Sequence, residues 1–378
     1  MALYPRTECR LAIANRKHAE YILCAFSAGE GALGAGLRGA SQMKLEFGAV
    51  DHVDRQDHVP IHATYESRLK LVELYEKYGF STFHVTEHHF TPLGLAPSPL
   101  IFLAAASRIT QRIHFAPLVL IATLYNPLRL AAEICMLDHL TKGRMEIGLG
   151  RGVSPHELGF YGIDPKDTPA IYKESVAVLM AALTQDVVDF HGEYFDFSNV
   201  PMELRPYQQP HPPLWYGTAH AETAARAACE NANIVSLQRA AEARVPIERF
   251  KDEWRRLHGA SGKTMPHAGL TRHVYVAETD ERAAERGRFG FDKFYDSLQY
   301  LWRKFGALDA AAVRNVERSR DEALLTGSPA TVRRKIEEQV ETSGANYFVA
   351  RFAYGNLTHD ESVRSLELFA NDVMPHFR

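Results

Sequence analysis

From Met43 onward, short apolar stretches alternate with helix-length segments eight times. Lys44–Val50 alternates apolar and polar residues and reads as a strand. Tyr65–Tyr78 follows as a helix, with Leu71, Leu74, Tyr75 and Tyr78 on one stripe and Gly79 placed to end it. Thr82–Thr86 is the second strand and Ser98–Arg108 the helix after it. His114–Ile121 is the third strand, apolar along its length and so expected to be buried on both faces. Pro127–Thr141 is a helix with proline in its first turn. Met145–Gly150 is the fourth strand and Thr168–Leu183 its helix; Leu214–Thr218 is the fifth strand and Ala221–Asn231 its helix. Ile234–Leu237, Arg272–Ala277 and Tyr347–Phe352 supply three more strands, each followed by helix-length sequence. This pattern predicts an α/β fold, a parallel (β/α)8 TIM barrel. The competing doubly wound sheet wants a glycine-rich turn after its first strand, and here Asp51-His52-Val53-Asp54 follows instead.

The chain has 378 residues, 46% of them hydrophobic, which is enough for one barrel-sized core. With 43 Lys+Arg against 46 Asp+Glu, the net charge of −3 argues against a nucleic-acid partner, which would need clustered positive charge. No apolar run reaches the roughly 18 residues of a membrane span. Cys9, Cys24, Cys135 and Cys229 lack zinc-ligand spacing, so free thiols in a cytoplasmic protein are expected. Residues 1–42 read differently from the rest. Ser27–Gly36 is small and glycine-rich, and the apolar Tyr21–Phe26 is too short for a secretory signal. Residues 1–42 are therefore expected to be a disordered or dispensable arm before a true start at Met43, with residues 43–378 forming the barrel domain. Two insertions interrupt the rhythm. Val187–Pro213, after strand four, reads as a hairpin and an extended segment. Phe289–Thr326, after strand seven, reads as either a lid or a surface pair of helices.

Barrel strands end at the active-site face. Glu87-His88-His89 after strand two offers a carboxylate beside two imidazoles, suited to acid–base work or to a metal; the competing reading is a pair of structural histidines. Gly148-Leu149-Gly150-Arg151-Gly152 after strand four lets a ligand approach the backbone and gives it a guanidinium. Thr218-Ala219-His220-Ala221-Glu222-Thr223 after strand five opens a helix whose free amides suit an anion. Plain turn chemistry is the alternative at both.

Together these segments resemble the bacterial luciferase-like, flavin-dependent monooxygenases. The resemblance rests on Gly79-Phe80 leading into Thr86-Glu87-His88-His89-Phe90-Thr91, on Asp138-His139-Leu140-Thr141-Lys142-Gly143-Arg144, and on the Gly148–Gly152 turn. It continues through Gln209-Pro210-His211-Pro212-Pro213, Gly327-Ser328-Pro329 and Asp372-Val373-Met374-Pro375, in order from Met43 to Phe377. It implies a barrel that binds reduced FMN at its C-terminal mouth. The family's phosphate-contacting arginine falls on Arg151, within Gly150–Gly152, and its phosphate-binding helix start on Ala219, His220, Ala221, Glu222 and Thr223. The catalytic histidine of the luciferase α subunit falls on His88, with His89 beside it, and an acidic partner on Glu157. The family's non-prolyl cis peptide falls at Leu118–Val119. Gly150 stands where luciferase has a reactive cysteine, and Ser154 replaces an aromatic residue, so nothing argues for light emission.

The implied reaction is oxygenation of a small organic substrate, such as an aldehyde, through a flavin C4a-hydroperoxide formed with O2. His88 would move the proton, with Glu87 or His89 orienting it. A separate NAD(P)H:flavin reductase would supply the reduced flavin, no metal would be needed, and two chains would pair as a homodimer through Ser98–Arg108 and Pro127–Thr141. Three alternatives stand beside this reading: a deazaflavin (F420)-dependent hydride transfer, a non-catalytic flavin-binding subunit, and a metal hydrolase on Glu87-His88-His89.

Overall fold

The computed structural model describes residues 45–306 and 322–378. The arm at residues 1–42, the expected start at Met43, Cys9, Cys24 and the middle of the second insertion lie outside the described residues. The strands are β1 (Glu46–Asp51), β2 (Thr82–Val85), β3 (His114–Pro117), β4 (Leu120–Ile121), β5 (Ile147–Gly150), β6 (Val187–His191), β7 (Asp196–Pro201), β8 (Leu214–Gly217), β9 (Asn233–Ser236), β10 (Ala268–Val276), β11 (Leu324–Gly327) and β12 (Tyr347–Arg351). The helices described are α1 (Ile61–Tyr78), α2 (Pro99–Arg108), α3 (Pro127–Thr141), α4 (Pro155–Phe160), α5 (Thr168–Thr184), α6 (Ala221–Cys229), α7 (Ala240–His258), α8 (Asp280–Leu298), α9 (Tyr300–Phe305), α10 (Pro329–Ser343) and α11 (His359–Asp372).

The parallel sheet runs β3-β2-β1-β12-β10-β9-β8-β5-β4. Phe115 of β3 bridges Met145 just before β5, and the Phe115 and Glu146 amides bond across that gap. The two ends of the sheet therefore meet, and the fold is the expected (β/α)8 barrel. Alternate residues face opposite sides. Phe47, Phe83, Phe115 and Phe348 pack under the helices, while Val50, Ala116, Trp215, Val235, Tyr347 and Val349 pack against one another inside the barrel.

Four expectations change. The third strand is not continuous over His114–Ile121: Leu118 donates to the Val85 carbonyl on the β2 side, while Leu120 and Ile121 pair with β5. The segment changes partners across its middle, so it is two short strands. Strand seven begins at Ala268, four residues earlier than its apolar run indicates. Its first residues pair with β9, and β11 covers its second half at His273–Val276. The second insertion thus contributes a strand as well as the helices α8 and α9. Finally, not all the small residues of α2 and α3 are available to the pairing expected of these helices: Ala106 and Ala131 are buried in the core, while Ile101, Ala105, Ala132, Met136 and Leu140 are exposed. The hairpin after strand four is present as β6 and β7.

The barrel interior carries a polar group near its N-terminal end. His84 Nε2 meets the Tyr347 hydroxyl at 3.1 Å, and its ring stands edge-on to Trp215. The Trp215 indole N–H and the His114 ring both bond to the Glu146 carboxylate. Burial pushes His84 down to about 4 from 6.5. The folded state therefore resists a proton that the unfolded chain takes up once the pH drops below 6.5, and stability is lost from there down to about pH 4. At 1.36 kcal/mol per unit, this group alone removes roughly 3 kcal/mol over that window. His84→Gln, which can still reach the Tyr347 hydroxyl, is expected to flatten the urea-unfolding stability profile between those pH values. Parallel profiles for the two proteins would assign the acid sensitivity to another group.

Candidate active site

The Glu87-His88-His89 turn leaves β2 at the C-terminal end of the barrel. Glu87 is buried: Oε2 accepts the Ile121 N–H at 2.8 Å, and Oε1 lies 2.8 Å from His89 Nε2. The Tyr125 hydroxyl also bonds to Glu87, and burial first, then this carboxylate, holds the phenol far above its usual range. The Tyr161 hydroxyl meets His89 Nδ1 at 2.9 Å. A carboxylate only accepts, so the proton of neutral His89 sits on Nε2, and its Nδ1 accepts from Tyr161. Both ring nitrogens of His89 are committed.

His88 is arranged the other way. Its Nδ1 lies 3.2 Å from Glu157 Oε1, which places the proton on Nδ1 and leaves Nε2 as a free lone pair. Its side chain keeps 19% of its exposure, against 9% for His89. Glu157 Oε2 accepts the His89 backbone N–H at 3.0 Å, so one carboxylate holds the ring of one histidine and the backbone of the next. Glu157 sits on α4, a short helix absent from the strand–helix pattern. Ser154 caps it by accepting the Glu157 N–H at 3.3 Å. Ser154-Pro155-His156-Glu157 has the spacing of a capping box, yet the Glu157 side chain turns away from the cap to the histidines. The expectation that Glu87 or His89 orients His88 is therefore corrected: those two bond to each other, and Glu157 holds His88.

Sequence reasoning passed over His52, directly after β1. Its ring lies flat on His88, with centroids 5.4 Å apart and planes 12° apart. Burial, then the Arg351 charge, then His88 and His273 keep it far below the usual histidine range. Tyr161 was also missed. His-to-carboxylate pairing across α4 leaves no periodic trace, and a lone histidine after the first strand carries no spacing signal.

The other end of the site lies after β5 and β8, which are neighbours in the sheet. Arg151 is exposed, and its guanidinium makes no hydrogen bond or ion pair with the described residues; its carbonyl is pinned by the Thr123 hydroxyl at 2.9 Å. α6 begins at Ala221 without a side-chain cap on His220, so the first-turn amides of Ala221, Glu222 and Thr223 have no acceptor within the helix. Ala219 lies in the turn before it. Gly217, the last residue of β8, has open space where a Cβ would stand. A free guanidinium, free helix amides and open backbone are the donor set a phosphate needs, so these residues fit the phosphate end of a flavin mononucleotide.

Between the two ends, the Leu118–Val119 peptide is cis, at the position the resemblance implies. A Cβ on Gly148 would overlap the Pro117 carbonyl, and one on Gly150 would overlap the Val119 side chain. The chain's own 117–119 segment thus packs on the side of these two glycines where a Cβ would stand. Exposed Phe90, Phe160, Tyr161 and Phe305 form an apolar rim, with Phe160 5.3 Å from Phe90 and 5.4 Å from Phe305.

A family model described as luciferase-like monooxygenase matches residues 43–347. An uncharacterized protein, y4wF, of Sinorhizobium fredii is 36% identical over 340 residues, covering 88% of this chain and 97% of its own. Limonene 1,2-monooxygenase of Rhodococcus erythropolis is 28% identical over 347 residues, covering 88% and 87%. Among solved structures, the oxygenating constituent of 3,6-diketocamphane monooxygenase from Pseudomonas putida, in complex with FMN, superposes with a TM-score of 0.72 at 22% identity, covering 88% of this chain and 99% of that one. The coenzyme F420 dependent tetrahydromethanopterin reductase of Methanopyrus kandleri superposes with a TM-score of 0.62 at 20% identity, covering 89% and 100%.

Glu157→Gln tests the clamp. The amide would offer an N–H to His88 Nδ1 and move the ring proton to Nε2, the wrong tautomer for a base. Oxygenated product should fall by about 10²–10⁴-fold, the range for a positioned acid–base group, with cofactor affinity unchanged in a fluorescence titration. Wild-type product formation in that variant would remove Glu157 from the chemistry.

Proposed function

The chain belongs to the luciferase-like monooxygenase family, flavin-dependent oxidoreductases, and on that footing we propose that it is an FMN-dependent monooxygenase acting on a small organic substrate such as an aldehyde. The observation that carries this reading is the His88–Glu157 pair, on the same arc of the barrel mouth as Arg151 and an uncapped helix start, with neither His88 Nε2 nor the Arg151 guanidinium bonded among the described residues. Arg151 and the amides of Ala221, Glu222 and Thr223 would hold the phosphate, with Ala219 and His220 shaping the turn. Leu118, Val119, Gly150 and Gly152 line the stretch from there to the histidines. Bound reduced flavin supplies the electrons by which one oxygen atom of O2 enters the product and the other leaves as water.

The chain's own part is to bind, to shield and to move a proton. His88 Nε2 takes a proton when the ring is neutral and returns it when the ring is charged, and Glu157 stabilises the charged ring from Nδ1. His89, tied to Glu87 and Tyr161, fixes the backbone of the turn. The apolar rim of Phe90, Phe160 and Phe305 keeps water from the reacting groups. The reduced flavin would come from a separate NAD(P)H:flavin reductase, and the protein would work in the cytoplasm. No helix among the described residues is long and apolar enough to cross a membrane. Residues 1–42 are proposed to be a dispensable arm. Exposed Ile101 on α2 with Met136 and Leu140 on α3 makes the face through which two copies would pair as a homodimer.

Arg151→Ala should weaken FMN binding by about tenfold to a hundredfold, the value of one charge-assisted hydrogen bond; unchanged affinity would remove Arg151 from the phosphate site. His88→Ala should still bind FMN and consume oxygen while hydrogen peroxide replaces product. Product formation with reduced F420 and none with reduced FMN would overturn the oxygenase reading in favour of hydride transfer.

A further inference from the structure

We propose that His52 is a positioning residue of the active centre: its ring lies flat against His88 and, together with Glu157 at the ring edge, holds that imidazole with Nε2 as its free nitrogen. The inference rests on the reading of His88 as the proton-moving group. A single hydrogen bond at Nδ1 leaves the His88 ring free to pivot about the Nδ1–Oε1 line. A near-parallel neighbouring ring, offset with its centroid 5.4 Å from that of His88 and its plane 12° away, restricts that pivot.

His52 is itself rigidly held. Its ring meets the edge of Phe294 on α8 at 5.1 Å and 84°. Phe294 in turn packs against His273 at 4.4 Å, with the Arg351 guanidinium 5.1 Å from its ring centre. The backbone beside His52 is constrained as well. Val53, a β-branched residue, adopts φ of 51°, its N–H held by Asp51 Oδ1 at 2.6 Å and its carbonyl by the Leu95 N–H at 2.9 Å. A β-branched residue with positive φ is an outlier that persists where surrounding contacts over-determine it. Asp51 is fixed by buried Arg68 at 3.1 Å.

Neither ring nitrogen of His52 makes a hydrogen bond among the described residues, and Nδ1 is sealed from solvent. What His52 presents to its neighbour is a flat face. Burial and the neighbouring Arg351 keep that face uncharged, so it does not repel His88 when His88 carries a proton.

The test compares His52→Leu, which keeps apolar bulk and loses the plane, with His52→Phe, which keeps the plane and loses both nitrogens. The first readout needs neither cofactor nor turnover: ring 15N signals of His88 in histidine-labelled protein, assigned by loss in His88→Gln. Wild type and His52→Phe should give one sharp pair with Nδ1 protonated; His52→Leu should give broadened or averaged signals. The second readout is turnover with reduced FMN. His52→Leu should lower the product-to-peroxide ratio by about tenfold, through kcat with KM and FMN affinity unchanged, because loss of alignment acts on the reacting geometry alone. His52→Phe should restore the ratio to within about twofold to threefold by the same reasoning.

Should His52→Leu not fold, Phe294→Leu loosens the same plate from behind and should give the same broadening. Wild-type signals and ratio in His52→Leu would overturn the proposal. So would a His52→Phe protein as impaired as His52→Leu, which would assign the role to a ring nitrogen in contact with substrate. Ordered ring signals in a wild-type protein that forms no product with any carbonyl compound would instead overturn the functional reading and leave the positioning intact.

Discussion

The backbone of β5 lies against the 117–119 segment with no room for side chains at Gly148 or Gly150, and the site depends on that contact. It lets β4 pair with β5 directly after the cis peptide and so completes the ring of strands. It brings the Ile121 amide within 2.8 Å of Glu87, which ties the β2 turn to the closing segment. It also sets where the chain leaves β5 into Arg151 and α4. An alanine at Gly148 would push the two backbones apart and strain the Glu87 anchor, whereas one at Gly150 would have to displace the Val119 side chain.

A second constraint lies at the ends of β1 and β12. Arg68 reaches Asp51 at 3.1 Å and Asp54 at 3.4 Å, all of them buried, with Arg351 alongside. Burial pushes Asp54 up to about 7 despite Arg68, and burial also brings Arg351 down to about 10. Two cationic and two acidic side chains removed from water compensate one another only while all are in place. Their net effect on the mouth is directional. Arg351 adds to burial in keeping His52 and His273 far below the usual histidine range, and so bears on the charge of the ring stacked on His88.

Much of this was legible in the sequence because a parallel barrel imposes period and length on its elements. α3 was read to the residue, since Pro127 opens it and Lys142, in the left-handed conformation, closes it. The turns bearing His88, Arg151 and the α6 start could be placed because barrel strands end on one face. α4 has six residues and no room for a periodic stripe, so the element that positions Glu157 was invisible. β11 was lost because a four-residue strand inside a charged, aromatic insertion has no alternation to show. His52 stood in plain view in Asp51-His52-Val53-Asp54, but it acts by stacking across two strands, and neither residue type nor spacing marks such a contact.

The two adjacent histidines show how neighbours in sequence acquire opposite roles. Both follow β2, and both face carboxylates within 3.2 Å. They differ in which nitrogen the carboxylate takes and in what meets the other. Glu87 takes His89 through Nε2, Tyr161 closes the remaining nitrogen, and the ring is left with no site for a reacting proton. Glu157 takes His88 through Nδ1, and no group of the described chain closes Nε2. The same Glu157 holds the His89 backbone by its second oxygen. Through Glu157 the two histidines share one mount: displacing His89 would shift the peptide that Glu157 grips, and with it the His88 ring that Glu157 holds.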